Sequence, residues 1–225
     1  MCGILGKISK KFKVENGCLD KSIKSITHRG PDNCGIWYSH DLSVVMAHTR
    51  LSIIDLSESG NQPMVDDINE LSLVFNGEIY NYLKLQKDLK QLGFQFQSSS
   101  DTEVILKSYI HWGEDCVNHL KGMFAFSIYD KKKSKIFMAR DRVGEKPLYY
   151  YHYNHIFQFA SEIKALDIHE KKINRNSMDH YLAFGYVPSN YSIIENCKKL
   201  PAGCKLTYCL NTDELKISKY WDIPL

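Results

Sequence analysis

Apolar residues in this chain gather in short runs separated by polar punctuation, rather than in long stretches with helical spacing. Such runs occupy residues 3–8, 35–38, 44–47, 51–54 and 71–75, then 123–129, 136–139, 148–151 and 156–160. Each is bounded by Gly, Asn, Asp or Lys and predicts a strand. Several neighbours are joined by only a few polar residues, which favours antiparallel pairing, because parallel strands need a long crossover. Helical spacing appears from Glu78 onward, through Ile79, Tyr82, Leu83, Leu85, Leu89 and Leu92. Ser100-Asp101-Thr102-Glu103 fits a capping box ahead of "VILKSYIHW". "EDCVNHLKG" predicts a short helix ending at Gly122, "NSMDHYLAFG" another ending at Gly185, and "KLTYCLNTDELKISKYW" a hairpin turning near residues 211–213. Strands in blocks with helices grouped between them predict an α+β fold.

One stretch resists this pattern. "LVFNGEIYN" places Asn76-Gly77 after an apolar run, the usual signal for a tight hairpin turn, yet the residues that follow read as a helix and not as a second strand. The pair therefore sits where a strand meets a helix, and needs another explanation.

Composition narrows the setting. A chain of 225 residues, 44% hydrophobic and 24% charged, fits one good-sized globular domain. The net charge of +3 is scattered, and the runs "SKKFK" and "DKKKSK" read better as solvated turns than as a nucleic-acid patch. No apolar run approaches the ~20 residues of a membrane span, and the basic residues near the N-terminus follow the apolar core instead of preceding it, unlike a signal peptide. The seven cysteines include no C-x-x-C pair and no metal-ligand spacing. These features predict a cytoplasmic protein with reduced cysteines and no metal, membrane or nucleic-acid partner. The chain stops at "WDIPL" with no closing element, which reads as a cut before a further domain.

Several residues carry chemistry. Removal of Met1 would leave Cys2 with a thiol and a free α-amine on one residue, the amine being a well-matched base for the thiol. From position alone, Cys2 reads better as a buried cysteine at the head of a strand. Asn76 and Gly77 offer a side-chain amide and an unhindered backbone N–H, the donors an oxyanion needs, although most Asn-Gly pairs are turns. Arg50, between two apolar runs, suits either a bidentate carboxylate clamp or a structural ion pair. Glu78 and Asp101 each stand at an expected helix start, as caps or as partners for a substrate ammonium. "THRGPDNCG" explains itself as a loop, and His28 within it has no evident base role.

Together, "MCGILG", "HRGPDNCGIW", "MAHTRLSIIDL", "QPM", "LVFNGEIYNY", "SSSDTEVIL", "GMFAFSIYD", "ARDRVGEKPLYY" and "ASEIKAL", in that order, resemble the glutaminase domain of glutamine-hydrolysing asparagine synthetase, a class II glutamine amidotransferase. The resemblance covers essentially the whole chain, with 1–213 as the glutaminase domain and 214–225 as the last strand of a closing hairpin and the start of a link to a synthetase domain. It implies an N-terminal-nucleophile hydrolase, a four-layer αββα sandwich of two antiparallel sheets. It implies that Cys2 attacks the side-chain amide of glutamine, that Asn76 and Gly77 hold the oxyanion, and that Arg50 clamps the α-carboxylate. Asp101 and Glu78 would hold the α-ammonium, and backbone groups of Leu51 and Ile53 would position the substrate. No cofactor is implied for this domain. ATP and Mg belong to the family's synthetase domain, whose Ser-Gly-Gly-x-Asp-Ser loop is absent from this sequence, and the resemblance leaves room for a homodimer. Two alternatives stand beside this reading: a glutaminase half serving a sugar-acid amidotransferase of polysaccharide synthesis, and a non-catalytic amino-acid-binding module.

Overall fold

The computed structural model describes residues 1–52, 58–188 and 191–223. Two six-stranded sheets are stacked face to face, and every strand pairing in both is antiparallel. One sheet is built from β1 (Gly3–Ile8), β2 (Asn33–Tyr38), β3 (Val44–Arg50), β8 (Tyr149–Tyr153), β9 (Ile156–Ala160) and β10 (Cys197–Lys199), in the order β10-β8-β9-β1-β3-β2. The other contains β4 (Met64–Asp66), β5 (Leu71–Ile79), β6 (Gly122–Asp130), β7 (Lys135–Arg140), β11 (Cys204–Cys209) and β12 (Glu214–Lys219), in the order β12-β11-β7-β6-β5-β4. Helix α1 (Asp20–Ile26) covers the outside of the first sheet, while α2 (Tyr82–Gln91), α3 (Asp101–Trp112) and α4 (Cys116–His119) cover the second. Helix α5 (Arg175–Phe184) ends, as its sequence predicts, on a left-handed Gly185. The four-layer sandwich expected from the resemblance is the observed architecture.

The alternation of side chains along each strand explains both the core and the site. Ile4 and Ile8 of β1, Val44 and Met46 of β3, and Val74 of β5 pack between the sheets. Their odd-numbered neighbours Leu5, Val45 and Ala47 face α1, whereas Leu73 and Phe75 face α2 and α3. Successive residues of a strand point to opposite faces, so the even positions further along must also turn inward. Those positions are Cys2, His48, Arg50, Asn76 and Glu78. At one end of the sandwich the apolar filling gives way to these polar residues.

Local expectations fail at four places. The run at 51–54 is no strand where it is described: Leu51 and Ser52 follow the end of β3 in irregular backbone, and Ile53 and Ile54 lie outside the described residues. Strand β5 continues through Asn76-Gly77 to Ile79, and α2 starts only at Tyr82, so Glu78 lies on a strand and not at a helix start. Tertiary pairing overrides the turn signal here, since Gly77 lies directly opposite Phe124 of β6. A Cβ at Gly77 would collide with the Met123 carbonyl oxygen, and its φ of +156° disfavours other residues. At α3 the Ser100 hydroxyl accepts from the Thr102 N–H (3.2 Å), but the Glu103 carboxylate reaches past the cap to the N–H groups of Gln97 (3.0 Å) and Ser98 (2.8 Å). Half the capping box is thus used to pin the preceding loop. Finally, α4 ends at His119, and Gly122 opens β6 instead of closing a helix.

Candidate active site

The polar end of the sandwich encloses a cavity of about 140 Å³, lined by Cys2, Arg50, Asn76, Gly77, Glu78 and Asp101 among others. Seven of the eight residues singled out in the sequence, these six and Leu51, meet here. The eighth, Ile53, lies outside the described residues.

Cys2 is half-buried, with its Sγ 3.4 Å from the Leu51 N–H that donates to it and 3.6 Å from the Leu51 carbonyl. The backbone of Leu51 therefore serves the thiol directly. Burial pushes the thiol upward from its ordinary range, while the Leu51 N–H, the chain's amino terminus, Arg50 and Arg29 pull it down. The backbone of Cys2 is anchored as well. Arg29 Nε donates to the Cys2 carbonyl (2.9 Å), and its Nη1 reaches Glu162 (3.0 Å), which also meets His28 Nε2 (2.9 Å). "HRG" is thus more than a self-contained loop. Gly30 lets it press on β3, because a Cβ there would strike the Thr49 carbonyl beside Arg50.

Two donors at the cavity follow from strand geometry. Strand β4 pairs with β5 only as far as Leu73, so the later edge of β5 is open. Along that edge the Phe75 N–H donates to Gln62 Oε1 (2.6 Å) and the Ile79 N–H to Asp101 Oδ2 (2.9 Å). Alternate residues direct their amides the same way, so the Gly77 N–H leaves the same edge between those two capped neighbours, into the cavity. The Asn76 side chain is 1% exposed, and its Nδ2 has no partner among the described residues. An unmade donor costs about 1–3 kcal/mol when buried, so this amide is built to receive an acceptor.

Charges of both signs flank these donors. Arg50 is buried and donates from Nη1 to Asn61 Oδ1 (2.7 Å), which in turn accepts from Asn33 Nδ2 (3.0 Å). Asp101 is also buried, and its carboxyl is pushed up to about 6, chiefly by burial, with neighbouring Glu78 adding to the rise. Two carboxylates facing one cavity favour a cation between them. Among the described residues no group of three or more His, Cys, Asp or Glu is arranged to hold a metal ion.

Sequence reasoning missed four residues that shape this site: Arg29, Gln62, His48 and Lys146. Gln62, quoted only within "QPM", bridges β5 and α3, since its Nε2 donates to the Thr102 hydroxyl (3.2 Å) while its Oε1 caps Phe75. His48 is buried two positions before Arg50 on the same inner face, and burial pushes it down to about 3, so the imidazole is neutral. The even-position alternation of β3 was the available signal for His48, whereas nothing local in the sequence marks Lys146.

The arrangement suits acyl transfer from an amide: a thiol, an unpartnered amide with a glycine beside it, a guanidinium, and two carboxylates at one cavity. Known proteins agree. The profile of the family described as "Glutamine amidotransferase domain" matches residues 1–221. The chain is 41% identical, over its full length, to a putative glutamine-hydrolysing asparagine synthetase 2 of Methanocaldococcus jannaschii, covering 47% of that protein. It is 38% identical over 99% of its length to asparagine synthetase 3 of Bacillus subtilis, covering 37% of that protein. The chain thus spans half or less of the length of these curated relatives. Its fold matches glutamine phosphoribosylpyrophosphate amidotransferase from B. subtilis with a TM-score of 0.70 over 98% of this chain and 49% of that one, at 19% identity. On the family profile and on these full-length similarities, the chain belongs to the class II glutamine amidotransferase domain family.

Proposed function

We propose that this chain hydrolyses glutamine to glutamate and ammonia, and that the ammonia serves an ATP-dependent synthetase domain that converts aspartate to asparagine. The observation that carries the reading is the unpartnered Asn76 Nδ2 beside Gly77, both lining the same cavity as Cys2. Once Met1 is removed, the α-amine of Cys2 takes the thiol proton as Sγ bonds to the amide carbon. The carbonyl π pair moves to oxygen, where Asn76 and Gly77 hold the charge. Collapse of that intermediate breaks the C–N bond, and the proton on the amine passes to the leaving nitrogen, releasing ammonia. Water then attacks the thioester, yielding glutamate and the free thiol. Arg50 clamps the α-carboxylate, while Asp101 and Glu78 receive the α-ammonium. ATP and Mg would act in the synthetase domain, at residues this chain does not supply. Steady-state release of glutamate from glutamine by the purified chain, freed of Met1, tests the reading, and absence of release would defeat it.

Two expectations concern substrate binding. Arg50→Ala removes a clamp made in ground and transition states alike, so KM should rise about 10- to 100-fold, the worth of one or two charge-assisted hydrogen bonds, with kcat little changed. A fall in kcat at constant KM would contradict the role. Asp101 must be ionised to pair with an ammonium, and in the free protein its carboxyl titrates at about 6. Protonation therefore competes with glutamine, so affinity should fall as pH drops through about 6 and recover above it. Asp101→Asn should weaken binding and flatten that part of the profile of kcat/KM against pH.

A further inference from the structure

The loop between β7 and β8 is held to an unusual degree. Arg140 gives its guanidinium to three carbonyls, those of Gly144, Lys146 (2.7 Å) and Leu200 (2.7 Å). Asp141, fully buried, accepts from three N–H groups: Glu145 (2.9 Å), Lys146 (2.9 Å) and Phe124 (3.2 Å). Lys146 is thereby fixed at its N–H and at its carbonyl, in a loop whose own polar groups explain its shape. Its side chain lines the cavity and the residue is only 7% exposed, yet its ammonium has no hydrogen bond or ion pair among the described residues. The ammonium is thus left facing the cavity, and loop folding alone gives it no role.

Its location says which anion. Phe124, which shares the Asp141 carboxylate with Lys146, is the residue paired with Gly77 across β5 and β6. Lys146 therefore stands on the Gly77 side of the cavity, whereas Arg50 comes from the opposite sheet. We propose that Lys146 supplies the positive charge facing the oxyanion formed at Asn76 and Gly77, as an electrostatic stabiliser of the transition state. This rests on the glutaminase reading above. The substrate amide is neutral at this end and becomes negative only as Sγ bonds to carbon and the carbonyl pair moves to oxygen. A charge placed here acts on kcat and not on KM, the reverse of Arg50.

The test compares Lys146→Gln, Lys146→Arg and wild type in glutamine hydrolysis, together with binding of glutamate γ-semialdehyde, an aldehyde that adds Sγ to give a tetrahedral adduct. Lys146→Gln should lower kcat about 10- to 100-fold with KM within about two-fold, and weaken the aldehyde by a similar factor. Lys146→Arg should recover much of both. Thermal melts establish that each variant is folded, and Lys146→Met replaces the Gln variant if that one is not. Equal kcat in wild type and a folded neutral variant, or a raised KM at constant kcat, would overturn the inference alone. A wild-type chain that neither releases glutamate nor binds the aldehyde would overturn the glutaminase reading and this inference with it.

Discussion

Cys2→Ala should lower the rate of glutamine hydrolysis by on the order of 10⁴-fold or more. The expectation is this large because Cys2 is the one thiol among the described residues that line the cavity. The remaining cysteines lie elsewhere, and none lines the cavity. The fold should survive. Cys2 precedes β1, and its side chain contributes one sulfur between Leu51 and the cavity, while its carbonyl, which the substitution keeps, carries the contact with Arg29. A melt within a few degrees of wild type together with lost glutamate release is the expected pair of results. Residual activity near wild type would refute the mechanism. The same logic makes the amino terminus decisive. A chain carrying an uncleaved N-terminal extension has no free amine on Cys2 and should be as inactive as the alanine variant, with mass spectrometry confirming that Met1 has left the active form.

Asn76→Ala should lower kcat about 10²- to 10³-fold while KM changes little. Its Nδ2 is buried and waits for an acceptor that exists at full charge only after the thiol has attacked. Stability should hold or improve slightly, because the variant deletes an unsatisfied polar group rather than a bonded one. That combination separates a catalytic amide from a structural one, whose loss would lower the melting temperature first. Gly77→Ala makes a poor companion experiment. It would strike the Met123 carbonyl and disturb the pairing of β5 with β6, so lost activity would report damage to the sheet and not the donor alone.

Much of this site was legible before any coordinates. The motif series with its resemblance singled out Cys2, Arg50, Leu51, Asn76, Gly77, Glu78 and Asp101, which meet at one cavity, whereas the alternation that sets Cys2, Arg50, Asn76 and Glu78 in phase with core residues emerged only with the strands in place, since Glu78 reads locally as a helix start. The sequence also determined the class of fold, since short apolar runs with brief polar joins leave few options besides antiparallel sheets. What it misread was local. Asn76-Gly77 has the chemistry of a turn, and a chain considered by itself has no means of stating that Phe124, 47 residues away in sequence, will pair opposite the glycine. Glu103 matches a capping box in sequence, but the loop at 97–98 offered it better donors once folded. Arg29, Gln62 and Lys146 escaped notice for the same reason. Their roles are held by contacts spanning 27 residues from Cys2 to Arg29 and 40 from Gln62 to Thr102, and by an Asp141 carboxylate shared with another strand. Backbone alternation is a local property, written in the order of residues. Which amide is left open, and which charge is left unpaired beside it, depends on long-range neighbours that only the packed sandwich brings together.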